Sequence, residues 1–235
     1  MSFTDLLIKH NISAPSGTAK EKKFSKLLAE IDEHKLIKNV EEIIKVIHNE
    51  AQTKKFLQIK AKFLEIVLNG APKIPGNIME KFSKYSNTLS KSTNSSYDAS
   101  SIKGNVEIKS SRCLYRHQNN GDTVLSQTLQ HAKSFVSFYD IFVKDYDCNI
   151  QQVKLHNFNT LYYYLWLDDV VLEFQASSDD IQKNKLFEYS NKMHAGNEGE
   201  GQFHIKNNNI VFHLAHTFKK AYNYHEFTNI LNNLT

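Results

Sequence analysis

Apolar residues recur at helical spacing through the first third of the chain. Phe24, Leu27, Leu28 and Ile31 form one run, Ile43, Ile44 and Ile47 a second, and Phe56, Ile59, Phe63 and Val67 a third. Recurrence every three to four residues collects side chains on one face of a helix. Residues 18–69 are therefore expected to form two or three helices, with start signals at Ser16 and Thr18 and a stop at Asn69-Gly70. The stretch APKIPG, residues 71–76, breaks the pattern with two prolines and a glycine and is the expected boundary. A short helix should follow from about Asn77 to Tyr85, with Ile78, Phe82 and Tyr85 on one face and Glu80 at its flank. The polar segment 87–96 reads as an edge strand or a loop.

The period then shortens to two. Residues 97–112, YDASSIKGNVEIKSSR, read as a β-hairpin with turn chemistry at Lys103-Gly104-Asn105. Successive side chains of a strand point to opposite faces, so Glu107, Lys109 and Ser111 share one face and Val106 and Ile108 the other. Further on, a helix through Leu125, Leu129, Ala132 and Val136, capped at Asp122 or Thr123, is expected, then a short strand at residues 151–154. TLYYYLWL and VVLEFQA, joined by Asp168-Asp169, read as an apolar strand pair in a sheet interior. Tyr162 to Tyr164 and Trp166 are accordingly assigned to the core rather than to base stacking. A helix opening at Ser178 and carrying Ile181, Leu186 and Phe187 leads to a glycine-rich loop, residues 193–201, whose backbone can approach a ligand closely. Residues 202–205 and 210–214 look like another strand pair, and residues 217–234 like a terminal helix.

Composition narrows the class. The 235 residues suffice for one large domain or two small ones, and 40% hydrophobic with 23% charged is ordinary for a globular chain. Two cysteines make neither a disulfide framework nor a CxxC pattern, so a reducing, cytoplasmic setting is expected. Neither a secretion signal nor a run of about 20 apolar residues is present, so no membrane span is expected. The net charge of +4 is unevenly spread: 12 Lys/Arg against 9 Asp/Glu over residues 1–70, 8 against 3 over 71–118, and 9 against 13 over 119–235. The basic surplus is densest around the hairpin, which suits a phosphate-rich ligand.

Within that basic stretch the few acids include Asp98 and Glu107, brought near each other by the hairpin. Two carboxylates in proximity repel unless a proton or cation lies between them, and Mg²⁺ is commonly held by one or two carboxylates with room left for water and phosphate. No GxxxxGK[ST] loop suggests a nucleotide cofactor, and His204, His213 and His216 lack the spacing of a zinc set.

Asp98 followed one hairpin later by Glu107-Ile108-Lys109 resembles the PD-(D/E)xK nuclease superfamily, to which many type II restriction endonucleases belong. Tyr97 stands where the motif's name has proline. Glu80, on the preceding helix, matches a glutamate common in that family; residues 150–176 and 195–205 resemble the strand–turn–strand and the glycine-rich loop that follow its active site. The resemblance spans about residues 76–206. It implies an α/β fold with a mixed central β-sheet flanked by helices, the restriction-endonuclease-like core, over 71–235. Residues 1–70 form an N-terminal helical region for framing, DNA binding or dimerisation. It further implies one or two Mg²⁺ ions held by Asp98, Glu107 and the Ile108 carbonyl, with Lys109 and Glu80 completing the catalytic set. The expected activity is sequence-specific hydrolysis of double-stranded DNA, leaving 5′-phosphate ends, by a homodimer. The alternatives are a less specific repair or phage-defence nuclease and a catalytically silent DNA-binding protein of the same fold. Asn and Gln can read adenine and Arg or Lys guanine, so Lys192, His194, Asn197 and Gln202 in the glycine-rich segment, and Arg112, Arg116 and His117 after the motif, are candidate base contacts. Gln152 and Lys154 are candidates for the edge of the site.

Overall fold

The alternation in residues 160–177 decides the architecture. Along β7 (Thr160–Trp166), Leu161, Tyr163 and Leu165 enter one hydrophobic core, while Tyr162, Tyr164 and Trp166 enter another. β8 (Val171–Ser177) divides likewise, with Leu172, Phe174 and Ala176 on the first side and Val171 on the second. A sheet that is apolar on both faces needs a layer against each, and helices supply both. The computed structural model describes residues 1–50, 53–71, 73–92, 94–115, 134–192 and 198–233.

Six strands form the central mixed sheet in the order β1-β2-β3-β7-β8-β11. These are β1 (Ser90–Lys91), β2 (Ala99–Ser101), β3 (Gly104–Arg112), β7, β8 and β11 (Phe218–Tyr222). Only the β3–β7 pairing is parallel, running in unbroken register from Val106↔Thr160 to Arg112↔Trp166. Between β3 and β7 the chain forms β4 (Leu114–Tyr115), β5 (Tyr146–Asp147) and β6 (Asn149–Val153). A three-stranded sheet joins β6 to β10 (Glu198–His204) and β9 (Ser190–Lys192). The fold is therefore α/β, with a mixed sheet flanked by helices, as expected.

The first core takes the apolar faces of α1 (Phe3–Lys9), α2 (Thr18–Leu28), α3 (Glu33–His48) and α7 (Ile210–His216), together with Ile150, Val153 and Phe203 of the small sheet. The second takes α4 (Lys54–Asn69), α5 (Lys73–Ser86) and α8 (Tyr224–Asn232), where Phe82 stacks on Phe227 at 4.2 Å. The apolar faces of residues 1–70 thus divide between both layers. Capping defines the starts: Asp32 and Thr53 accept from the amides of Lys35 and Phe56, and Asn223 from Glu226.

Several elements differ from the periodicity reading. The helix α1 was not anticipated; Ser2 and Asp5 close a capping box around it. The true break is at Gly70-Ala71, and Pro75 lies in the first turn of α5, where a missing amide costs no helical bond. Residues 210–214 are helix, not strand, and Phe218–Tyr222 is an edge strand rather than the start of a helix. A short run buried all round, as Ile210 to Ala215 is, carries no period by which to tell the two apart. Leu186 and Phe187 lie in a 3₁₀ turn after the six-residue α6 (Ser178–Lys183). Phe135 and Val136 are not helical: Phe135 bridges Leu114 of β4 and Val136 N donates to Cys113 O, and the residues of that expected helix from 122 to 133 lie outside the described residues.

His213 sits fully buried between α7 and β7, its Nδ1 2.9 Å from the Tyr163 hydroxyl, which also meets Thr217. Burial disfavours the imidazolium and lowers its pKa to about 3. Because the unfolded chain binds that proton more readily, stability should fall as pH drops from about 6.5 toward 3. Urea unfolding should show this slope, and His213→Gln should flatten it. Tyr163→Phe should cost about 1–3 kcal/mol at neutral pH by leaving buried polar partners unmatched.

Candidate active site

The β2–β3 hairpin turns through Ile102 and Lys103, one residue earlier than the sequence suggested, and Gly104 opens β3. Gly104 has φ 107°, and a β-carbon there would overlap the Asn159 carboxamide. Glycine is the residue that fits both conditions. The same carboxamide accepts from Asn105 N at 2.9 Å, and Asn159 N donates back to Asn105 O at 2.9 Å. These bonds hold the turn end of β3 to the segment entering β7.

From this anchored start, alternation does the placing. Val106 and Ile108 enter the second core, so Glu107 and Lys109 point to the other face, toward the small sheet. β2 ends its regular pairing at Ala99↔Val106, and Asp98 follows with its amide on Val106 O at 3.0 Å. The Asp98 carboxylate then takes the next rung: its Oδ2 accepts from Ile108 N at 2.8 Å. In an extended strand the N–H and C=O of one residue point to the same side, so the Ile108 carbonyl lies on this same edge.

Asp98, Glu107 and Lys109 line one cleft of about 380 Å³ with Ser95, Ser96, Tyr97, Gln152, Lys154 and Asn157. Glu107 is only 8% exposed and ion-paired with Lys109. Lys154 pairs with Glu200 at 2.8 Å across β6 and β10. β6 is tied to β3 by Asn149 N, which donates to Ser111 Oγ at 3.0 Å.

The electrostatics single out the two acids. Burial raises the pKa of Asp98, and the charge of Glu80 adds to this, against the Ile108 amide, Lys109 and Lys84. Burial also raises that of Glu107, with Asp98 adding, against Lys109 and Lys154. Each carboxylate is held where ionisation is disfavoured. A donor set of two such carboxylates and a main-chain carbonyl fits Mg²⁺, which completes its shell with water and phosphate oxygens. Among the described residues no three His, Cys, Asp or Glu side chains gather as a self-sufficient metal cage.

The other sequence candidates separate. Glu80 lies on α5 and pairs with Lys84; its charge reaches Asp98, but it is not part of the cleft wall. Gln152 and Lys154 are in the wall. Arg112 is not: its guanidinium donates to the carbonyls of Val67 and Leu68 at 3.4 and 2.8 Å, closing the end of α4. Arg112 Nη1 thus serves as a cap on α4, away from the cleft wall. Gln202 bridges strands instead, accepting from Asn149 Nδ2 at 2.8 Å and donating to Lys192 O at 3.3 Å. Lys192 lies exposed on β9. Arg116, His117, His194 and Asn197 lie outside the described residues. Ser95, Ser96, Tyr97 and Asn157 also line the cleft without having been sequence candidates; the first three lead into Asp98, while Asn157 carries no signal beyond its proximity to β6.

Comparisons with protein-family models, with curated proteins and with solved structures found no match.

A group whose folded pKa is raised favours folding below its unfolded value, and that benefit is lost as pH rises through the folded value. Asp98→Asn keeps the acceptor for Ile108 N and removes the charge. It should melt higher than the parent protein at pH 7–8, with the gain vanishing below about pH 4; calorimetry across that range measures it.

Proposed function

We propose that this chain is a Mg²⁺-dependent endonuclease that hydrolyses double-stranded DNA, of the type II restriction kind and similar in its site to the PD-(D/E)xK superfamily. The observation that carries the reading is the meeting of Asp98 and Glu107 in one cleft, each raised in pKa by burial, with Lys109 ion-paired beside them. Structural ion pairs of a strand surface have no need of a second desolvated acid.

Asp98, Glu107 and the Ile108 carbonyl would hold the ion. When bound, it supplies positive charge against the phosphate and a more readily ionised water. Lys109 keeps an ammonium within reach of the same space, where it orients the attacking water and stabilises negative charge developing on phosphate oxygens. Glu80 acts through charge on Asp98, and Lys154 is placed to exchange Glu200 for a phosphate oxygen. Hydrolysis adds water across the P–O3′ bond: its oxygen ends on phosphorus as the 5′-phosphate, and a proton ends on the 3′ oxygen. Two strands to cut call for two copies of this site, which makes a homodimer the natural working unit.

Incubated with phage DNA and Mg²⁺, the protein should yield discrete fragments on a gel. Glu107→Ala and Lys109→Met should each lower the cleavage rate by about 10²-fold or more. Mg²⁺ should also raise the melting temperature of the parent protein, and chelation should reverse it, whereas Asp98→Ala should not respond. A smear in place of bands would replace site-specific cutting by a less specific nuclease. No cleavage by the parent protein over a range of divalent metals and salts would sink the enzymatic reading.

A further inference from the structure

β6 does not run straight past the cleft. Gln151 pairs with Gln202 and Val153 with Gly201, which leaves Gln152 as an extra residue without a partner on β10. Its backbone is left-handed, with φ 57°, a conformation that disfavours any residue carrying a β-carbon. Such strain persists only where surroundings impose it.

Here the surroundings do. The Tyr189 hydroxyl donates to the carbonyl of Val153 at 3.0 Å, immediately after the extra residue. Gly201, opposite Val153 in the ladder, leaves the space that Tyr189 occupies; a β-carbon on it would overlap the tyrosine ring and hydroxyl. Tyr189 and a glycine of β10 thus brace the kink in β6. A bulge re-aims a side chain, and the one re-aimed here lines the cleft with Asp98, Glu107 and Lys109. Its carboxamide is exposed and makes no hydrogen bond among the described residues. The charged groups of the cleft wall are two carboxylates and two ammonium groups, beside the hydroxyls of Ser95, Ser96 and Tyr97 and the Asn157 carboxamide; the Gln152 amide adds donors without altering the charge balance.

We propose that Gln152 is a substrate contact, its carboxamide N–H donating to a non-bridging oxygen of the DNA phosphate that enters the cleft. The proposal rests on the nuclease reading, which supplies DNA as the ligand and its cleavage as the reaction. A phosphate contact positions the strand but carries no base information directly.

The test uses full-length protein. Gln152→Gly removes the amide and relieves the left-handed backbone, so it should melt no lower than the parent protein. It should cleave phage DNA about 10²-fold more slowly, with an unchanged fragment pattern; Gln152→Glu should be at least as slow. The ¹⁵N side-chain amide pair of Gln152, assigned by its loss in Gln152→Glu, should shift when a duplex oligonucleotide is added without Mg²⁺. Parent-like cleavage by Gln152→Gly, a lower melting temperature, an altered fragment pattern or an unmoved amide pair would each overturn the assignment. If the amide pair shifts but the parent protein never cuts, the nuclease reading falls and the phosphate contact stands.

Discussion

Two carboxylates share a place from which much of the water has been removed, and the surrounding structure is arranged to keep them there. Left to itself, the Asp98–Glu107 neighbourhood would relax by turning one side chain to solvent. It cannot, because Asp98 is pinned by the Ile108 amide and Glu107 by the pleat of a strand whose alternate residues are buried in the opposite core. A hydrophobic force acting on Val106 and Ile108 thereby holds a charged group on the other face. The unfavourable local term is covered by burial elsewhere, as is common where a site is held ready for a ligand.

The layers on each side have different duties. Beneath Val106 and Ile108 lie α4, α5 and α8 with their stacked aromatics, a dry packing of Phe82, Trp166 and Phe227. On the face of Glu107 and Lys109 the small β6–β10–β9 sheet stands beside β3 and completes the cleft wall with Gln152 and Lys154. One face of β3 is thus support and the other is site. In β7 and β8 both faces carry core residues, and Glu173 is fully buried among them with Tyr222 and Lys219 as partners.

Much of this was legible in the chain. The alternation of residues 104–112 placed Glu107 and Lys109 on one face, and the apolar runs of 160–177 placed β7 and β8 at the centre of the sheet. What period could not reveal was structure whose burial is uniform or whose partners are remote. Ile210 to Ala215 is buried on every side, so no face distinguished helix from strand. Arg112 looked available to a base, but its partners are carbonyls more than forty residues earlier. The bulge at Gln152 depends on Tyr189 and Gly201, neither of which is marked locally as its support.

β3 is fastened at both ends, by Asn105 to Asn159 near its start and by Arg112 to the end of α4 at its finish. Shifting the strand by a single residue against β7 would exchange its faces, sending Glu107 and Lys109 into the aromatic core and Ile108 into the cleft. The two fastenings forbid that slip. Their task is therefore one of phase as much as of strength: they fix whether this strand presents charge or hydrocarbon to whatever enters beside it.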